Sequence, residues 1–448
     1  MTFTLQRNQI TAFLCDLIKS ALCAFVILAF LALPSLAQET PAHHAQTATP
    51  LADLLNEAER NNPEIQAARD GMEAAKQVPA QVSTLPDPQF QVQQVNVGSP
   101  RPFAGYTTSD FAYVGLGVSQ DIPYPGKLRL RGEVAKRNAD IANYRSDSVR
   151  RGVFAEVKAA YFQLGYHQQM LILLENEGQF LKQIEQAAEA RYRSGMGNQQ
   201  DVLQAQVQET KLLRDISMHH LEAGKNETRL KQLLNRPQSS PDIETSTLTE
   251  TPLDTSFDQF LSALQAQNPD LTATQNIIER QKLQVDIAHK DFYPDFNIQY
   301  MFERTDPAHF NSYNQFTFGI KIPLYYEKQR SELAQAEAEL SRSRNEHEAQ
   351  FQQLAAELHQ QYLIVEQTAE VLKIYREGLI PQTRAAVQAG LAAYQNNRQD
   401  FKDLLNSYLD VLRIEQENWQ SVADHETALA RLEQMTGVSL QPACAAKE

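Results

Sequence analysis

The chain has 448 residues, of which 42% are hydrophobic and 21% charged, with 17 Gly and 20 Pro. This composition excludes a disordered or collagen-like chain and calls for a folded one. A formal charge of −14 makes nucleic acid an unsuitable partner, because phosphate binding rests on clustered Lys and Arg. Ordinary soluble periplasmic proteins are equally acidic, so the charge does not by itself favour a cation channel.

Arg7 and Lys19 precede an apolar run from Ala21 to Leu33, and Ser35-Leu36-Ala37 follows as a small-residue cleavage site. Residues 1–37 therefore read as a secretory signal cut after Ala37. A retained anchor is the competing reading, but the run falls short of the roughly 20 residues a spanning helix needs. Cys15 and Cys23 lie in this leader and leave Cys444 alone in the mature chain, so no disulfide framework is expected. Beyond the leader no stretch of 18 apolar residues occurs, which excludes a spanning helix and leaves open a β-barrel, whose strands carry a much weaker signal.

After a linker over residues 38–50, the chain repeats itself at a spacing of about 200 residues. Asn62-Pro63-Glu64-Ile65 opens one copy and Asn268-Pro269-Asp270-Leu271 the other, each expected inside a helical pattern of about five turns. The period then changes. After Leu85-Pro86-Asp87-Pro88, Phe90 and Val92 alternate with Gln91 and Gln93; after Tyr293-Pro294-Asp295, Phe296, Ile298, Tyr300 and Phe302 alternate with Asn297 and Gln299. Loops over about Gly98–Asp110 and Arg304–Asn314 lead into returning strands that end at Pro123 and Pro323. The second return sets Phe316, Phe318, Ile320 and Ile322 against Thr317, Gly319 and Lys321. The expected hairpins are 89–123 and 295–323.

Long helices follow, about Lys127–Arg193 and Glu327–Tyr394, with Pro381 as the first internal proline. At 1.5 Å per residue each spans on the order of 100 Å, a length found in coiled coils and helical barrels. The turns "SGMGNQ" (Ser194–Gln199) and "QNNRQ" (Gln395–Gln399) reverse the chain into helices running to about Leu234 and Met435. The resulting organisation is a first repeat over 51–236, a Pro, Ser and Thr-rich linker over 237–256, a second repeat over 257–437 and a tail over 438–448.

Four strands cannot close a barrel, which takes about eight or more, and lipid does not tolerate an open edge. The chain must oligomerise if these strands enter a membrane. A trimer supplies twelve strands, with Gln91, Asn297, Gln299, Thr317 and Lys321 facing a wet lumen. A soluble helical protein with a small sheet packed on its helices would show the same alternation; the leader, the duplication and the helix lengths favour the barrel. A periplasmic coiled-coil adaptor or scaffold would need Gly- and Val-rich lipoyl-like modules, and a secreted hydrolase a convergent polar constellation; neither pattern is present.

The order of elements, with "NNPEIQAA", "LPDPQFQV", "GLGVSQDIPYPGKLRLRGEVA", "RYRSGMGNQQDVLQAQ", "NPDL", "YPDF", "FGIKIPLY" and "AYQNNRQDFKDLLNSYLDVL", resembles the TolC family of outer-membrane efflux proteins over essentially the whole mature chain. The resemblance implies a mainly α fold with a membrane β-barrel: a homotrimer with four strands per protomer in a twelve-stranded outer-membrane barrel and a long α-helical barrel in the periplasm. Its implied partners are a periplasmic adaptor protein and an inner-membrane pump of the RND type, with outer-membrane lipid around the barrel and no cofactor. Pro125–Arg131 resembles members serving heavy-metal or related cation efflux.

The family's acidic pair after the second turn falls on Asp400 and Asp403, which would stack two acidic rings across the trimer's periplasmic gate; the plainer reading is helix-start acids stabilised by the dipole. In the first copy Asp201 stands where Asp400 does, but Gln204 replaces the second acid, so only the second copy offers a pair. Arg191, Gly195, Met196, Gly197, Asn396 and Asn397 match the tips that meet the adaptor. No catalytic set emerges. His347-Glu348 and His425-Glu426 lack a second ligand four residues on and are expected at the helix surface. His43-His44 and His219-His220 are expected to be solvated, and no metal site is expected.

Overall fold

The computed structural model describes residues 48–95, 112–304 and 312–440. The leader, both hairpin loop tips, Cys444 and the last residues of the tail lie outside these. Helices α1 (Leu51–Asn61) and α2 (Pro63–Ser83) lead to β1 (Gln89–Val95) and β2 (Tyr113–Ile122), then α3 (Lys127–Arg193) and α4 (Gln199–Leu233). The second half repeats the order: α5 (Phe257–Gln267), α6 (Pro269–Lys290), β3 (Asp295–Arg304), β4 (Ser312–Lys321), α7 (Tyr326–Ile374), α8 (Ile380–Gln395) and α9 (Phe401–Thr436). The 67 residues of α3 make one uninterrupted helix about 100 Å long. Its counterpart is broken by a π-helical turn over Tyr375–Leu379. Pro381 supplies the reason, since it has no N–H to donate and its ring collides with the carbonyl four residues back, which the wider turn avoids.

The Asn-Pro motifs do not lie inside helices as the sequence pattern suggested. Asn62 and Asn268 adopt extended φ/ψ and divide α1 from α2 and α5 from α6. Asn62 Oδ1 accepts from the N–H groups of Glu64 (2.9 Å) and Ile65 (3.2 Å), and its Nδ2 donates to the Leu233 carbonyl at 2.8 Å. Asn268 does the same with Asp270 and Leu271 (both 3.0 Å) and with the Met435 carbonyl at 2.9 Å. One side chain thus caps a helix start and satisfies a carbonyl at the end of the returning helix, and Pro in the next position is preorganised for the first turn.

All four strands form one antiparallel sheet in the order β1-β2-β3-β4, so the two hairpins are joined through β2 and β3. Opposite pairs Phe90/Val118, Val92/Leu116, Leu116/Phe302, Val118/Tyr300 and Tyr300/Phe316 put the apolar set on one face. Residues Ser312–Asn314, expected in the loop, belong to β4. On the polar face, a Cβ on Gly115 or Gly117 would approach within 3.1 to 3.2 Å of the Met301 thioether, so these glycines let the buried Met301 lie against β2. Lys127 fastens the start of α3 to the sheet: its buried ammonium contacts Asp291 at 3.0 Å and Asp295 at 2.9 Å.

Coiled-coil seams run along the long helices. In α9, Phe401, Leu404, Tyr408, Val411 and Glu415 are all buried at alternating spacings of three and four, and Val422, His425, Leu429 and Leu432 continue the register. His425 and Glu426 are buried, correcting the surface placement. Imidazole nitrogens of His425 pair with the Thr368 hydroxyl and the Thr251 carbonyl, each at 2.9 Å, and the Glu426 carboxyl accepts the Thr251 N–H at 2.7 Å. Burial pushes the Glu426 carboxyl above its ordinary range, partly offset by the Thr251 bonds. These contacts strap the 237–256 connector to α9, as Gln168 straps it to α3 through Thr245 and Ile243.

His219 is not solvated either: its Nδ1 lies 2.9 Å from Nδ1 of His167 across the α3–α4 seam. Burial and the neighbouring His219 lower His167 from 6.5 to about 4, and burial lowers His219 too. Because the folded state holds the neutral forms, this seam is fully stable above pH ~6.5 and loses stability as pH falls toward about 4. Urea midpoints should therefore drop more steeply over that window in the wild type than in a His167→Gln, His219→Gln double variant. Asn62→Ala and Asn268→Ala should each cost about 1–2 kcal/mol in denaturation. An unchanged midpoint would show that the caps contribute nothing.

Candidate functional site

Two surfaces concentrate unusual chemistry: the apolar face of the sheet and the tips of the two helical hairpins. On the sheet, Phe90 is 85% exposed and Phe316 78%, with Val92, Leu116, Ile298, Phe318 and Ile320 also exposed. Side chains of this type move from water into an apolar phase with a gain of about 1.5–3 kcal/mol each. Nothing in the described chain covers them. Strands β1 and β4 each pair on one side only, leaving rows of backbone donors and acceptors at both sheet edges. Among the described residues, no helix is long and apolar enough to cross a membrane.

At the first tip, α3 closes with the Met196 N–H on the Arg191 carbonyl at 2.9 Å and the Gly195 N–H on the Tyr192 carbonyl at 3.0 Å. Gly195 takes φ +72 as this closure requires. A Cβ on Gly197 would sit 3.0 Å from Arg191 Cβ and 3.1 Å from the Tyr192 nitrogen, so glycine there permits the tight reversal. The second tip repeats the closure without glycine. Asn397 has φ 59, its N–H donates to the Tyr394 carbonyl at 3.1 Å, and Arg398 N–H donates to the Ala393 carbonyl at 2.9 Å. Asn396 keeps a negative φ of −94, outside the left-handed region, and its Nδ2 donates to the Ala392 carbonyl.

This register corrects the sequence alignment of the acids. Asn397 stands where Gly195 does, so Asp400 matches Asn198, each preceding or flanking a helix start, and Asp201 matches Asp403. Asp400 occupies the cap position of α9 without a side-chain cap bond, and Asp403 lies in the first turn. Both are exposed, and among the described residues neither carboxylate forms an ion pair.

Arg191 ties the two tips together. Its Nη1 donates to the Tyr394 carbonyl at 2.8 Å and its Nη2 to the Met196 carbonyl at 3.0 Å and to Asn397 Oδ1. The guanidinium also lies 4.2 Å from the Tyr394 ring centroid, a favourable cation–π distance. The Tyr394 hydroxyl donates to Asp201 Oδ2 at 3.1 Å, and burial together with the Asp201 charge pushes it up to about 12. The first hairpin thus grips one buried tyrosine of the second from both sides. Further along, Arg384 Nε donates to the Glu415 carboxylate, and burial plus the neighbouring Glu415 raises Glu177. The Tyr408 hydroxyl donates to the Glu177 carbonyl at 3.3 Å.

Sequence reading singled out Arg191 but missed Tyr394, the partner role of Asp201, and the Glu177, Arg384 and Glu415 group. Two signals were available: Tyr394 stands in the register of Tyr192, and Glu415 interrupts an otherwise apolar seam. Arg191→Ala and Tyr394→Phe should each loosen contact between the tips, read as faster hydrogen exchange at 394–401, whereas Arg193→Ala should leave it unchanged.

The outer membrane efflux protein family matches residues 54–236 and 260–438. No curated protein matches the chain. Among solved structures, the outer membrane protein VceC of Vibrio cholerae superposes with a TM-score of 0.74 at 18% identity, over 87% of this chain and 97% of VceC. The open state of the MtrE outer membrane channel of Neisseria gonorrhoeae gives 0.72 at 17% identity, over 87% and 89%. CusC, described with conformational changes accompanying folding and transmembrane channel formation, gives 0.75 at 16% identity, over 87% and 92%. At these identities the superpositions speak for the fold, and the two matched segments, which together span most of the sequence, establish that the chain belongs to the outer membrane efflux protein family.

Proposed function

We propose that the protein is the outer-membrane channel of a tripartite efflux system, conducting substrates passively from a periplasmic adaptor and an inner-membrane pump of the RND type to the exterior. The observation that carries this reading is the sheet: an exposed apolar face opposite a polar one, with both edges open, in a member of the outer membrane efflux protein family. Three copies close those edges into a twelve-stranded barrel, put Phe90 and Phe316 against lipid, and turn Gln91, Asn297, Gln299 and Thr317 toward water. Residues 1–37 are in this reading a cleaved leader, and 51–236 and 257–437 two repeats joined by 237–256.

The long helices line a periplasmic conduit, and the tips form its closed end. Arg191, Asp201 and Tyr394 hold the two hairpins together there, while the exposed Asp400 and Asp403 of three protomers ring the bore with carboxylates. Gly195, Met196, Gly197, Asn396 and Asn397 present the backbone that meets the adaptor. Metal cations or small toxic compounds are the proposed cargo. The Pro125–Arg131 segment supports a metal cargo less directly than its sequence suggested, since its Lys127 is engaged structurally by Asp291 and Asp295.

Purified protein in a planar bilayer should give small cation-selective currents. Those currents should grow, with weaker cation selectivity, in the Asp400→Ala, Asp403→Ala double variant, and should grow with selectivity retained in Arg191→Ala or Tyr394→Phe. A wild type that stays a freely soluble monomer, needing no detergent for extraction, would refute the channel; an unchanged double variant would refute the acidic gate alone.

A further inference from the structure

The sequence offered His219 and His220 as neighbours that cannot share a helix face. The fold instead brings His219 of α4 against His167 of α3, with ring centroids 5.2 Å apart and the two Nδ1 atoms at 2.9 Å. A hydrogen bond between two neutral imidazoles needs one ring protonated on Nδ1 and the other on Nε2. Among the described residues, neither Nδ1 has another partner, and no carboxylate or backbone carbonyl fixes either tautomer. Tyr166 packs its ring against both, at 4.8 Å from His167 and 5.9 Å from His219. Asp215 and Glu222 stand one turn to either side of His219 on α4, and the charges of both act on its imidazole. An Nδ1–H facing an Nδ1 lone pair, half-buried and with two carboxylates a turn away, becomes a pair of nitrogen donors once that proton shifts to Nε2, and describes a place where a cation would be favoured.

We propose that His167 and His219 form a binding site for a divalent late-transition-metal cation of the zinc, copper and nickel class, held between α3 and α4. Imidazole nitrogen suits these ions, whereas calcium and magnesium need oxygen ligands. Metal–nitrogen bonds of about 2.0–2.1 Å in tetrahedral geometry set two ligand nitrogens about 3.3 Å apart, so the rings need to separate by a few tenths of an ångström and to tilt, turning both Nδ1 lone pairs from the line between them toward the ion. The proton on the donating Nδ1 moves to Nε2 of the same ring, which frees both Nδ1 lone pairs and releases no proton from the neutral pair. As the side chains stand, no three His, Cys, Asp or Glu residues converge among the described residues. Glu222 therefore has to leave Lys225, to which it is bonded at 2.7 Å, to become the third ligand, and water supplies the fourth. Binding clamps the α3–α4 seam and is independent of the channel reading, because it is measured on the protein in detergent.

The test is calorimetric titration of tag-free, full-length protein in detergent with Zn2+ alone at pH 7.5. One ion should bind per chain, His167→Ala and His219→Ala should each weaken binding at least about tenfold, and His220→Ala should leave it unchanged. Should a variant fail to fold, the electron paramagnetic resonance spectrum of wild type with Cu2+ decides: coupling to two nitrogens is expected. Coupling to one or none, absence of Zn2+ binding at submillimolar concentration, or binding that survives either substitution would overturn the site.

Discussion

Backbone hydrogen bonding in lipid imposes the constraint on which the remaining architecture depends. A sheet with Phe90, Val92, Phe316 and Phe318 exposed on one face gains free energy only by leaving water. Once in hydrocarbon, the free edges of β1 and β4 lose every water partner and each unsatisfied group costs several kcal/mol. The face and the edges therefore demand different remedies, lipid for the first and further strands for the second. A single chain supplies neither, and the proposed assembly of three copies supplies both.

The same sheet sets what the helices must do. Lys127 pins the start of α3 beside Asp291 and Asp295, and from that anchored end α3 runs unbroken to the Arg191 tip. The second long helix takes the π turn before Pro381. Asn62 and Asn268 tie the start of each half to the end of its returning helix, so each half closes on itself and the two meet mainly along α3. At the far end, where apolar seams give way to turns, polar contacts take over: one guanidinium, one buried tyrosine and one carboxylate join the hairpins. A junction of a few such bonds is worth a few kcal/mol.

Buried and half-buried polar groups recur at intervals along the seams, at Glu415, His425 and His167, and each meets a partner from another element. Such groups are costly when unpaired and modest when paired, so they favour one register over slipped alternatives. The Thr251 bonds to His425 and Glu426 place the connector in a single position against α9. The connector joins the halves in sequence and also fastens α9 and α3 in space.

Element order, strand alternation and helix length were legible from sequence because they depend on local period and on turn residues such as Gly195 and Asn397. The order of strands was not: β2 pairs with β3 across more than 170 residues, and nothing local distinguishes that neighbour from any other. Nor were the partners of the buried polar residues, although counting by threes and fours from Phe401 lands on both Glu415 and His425. His219 was read beside His220, the wrong neighbour, since sequence adjacency on a helix turns side chains apart while packing brings distant ones together. Sequence by itself determined the order of helices and strands, which strand face is apolar and where the chain reverses, because those follow from side-chain period and backbone conformational preference. Only the tertiary structure decided that Arg191 and Asp201 meet at Tyr394, that His167 faces His219, and that the hairpins share one sheet, because each requires two segments remote in sequence to arrive at one point in space.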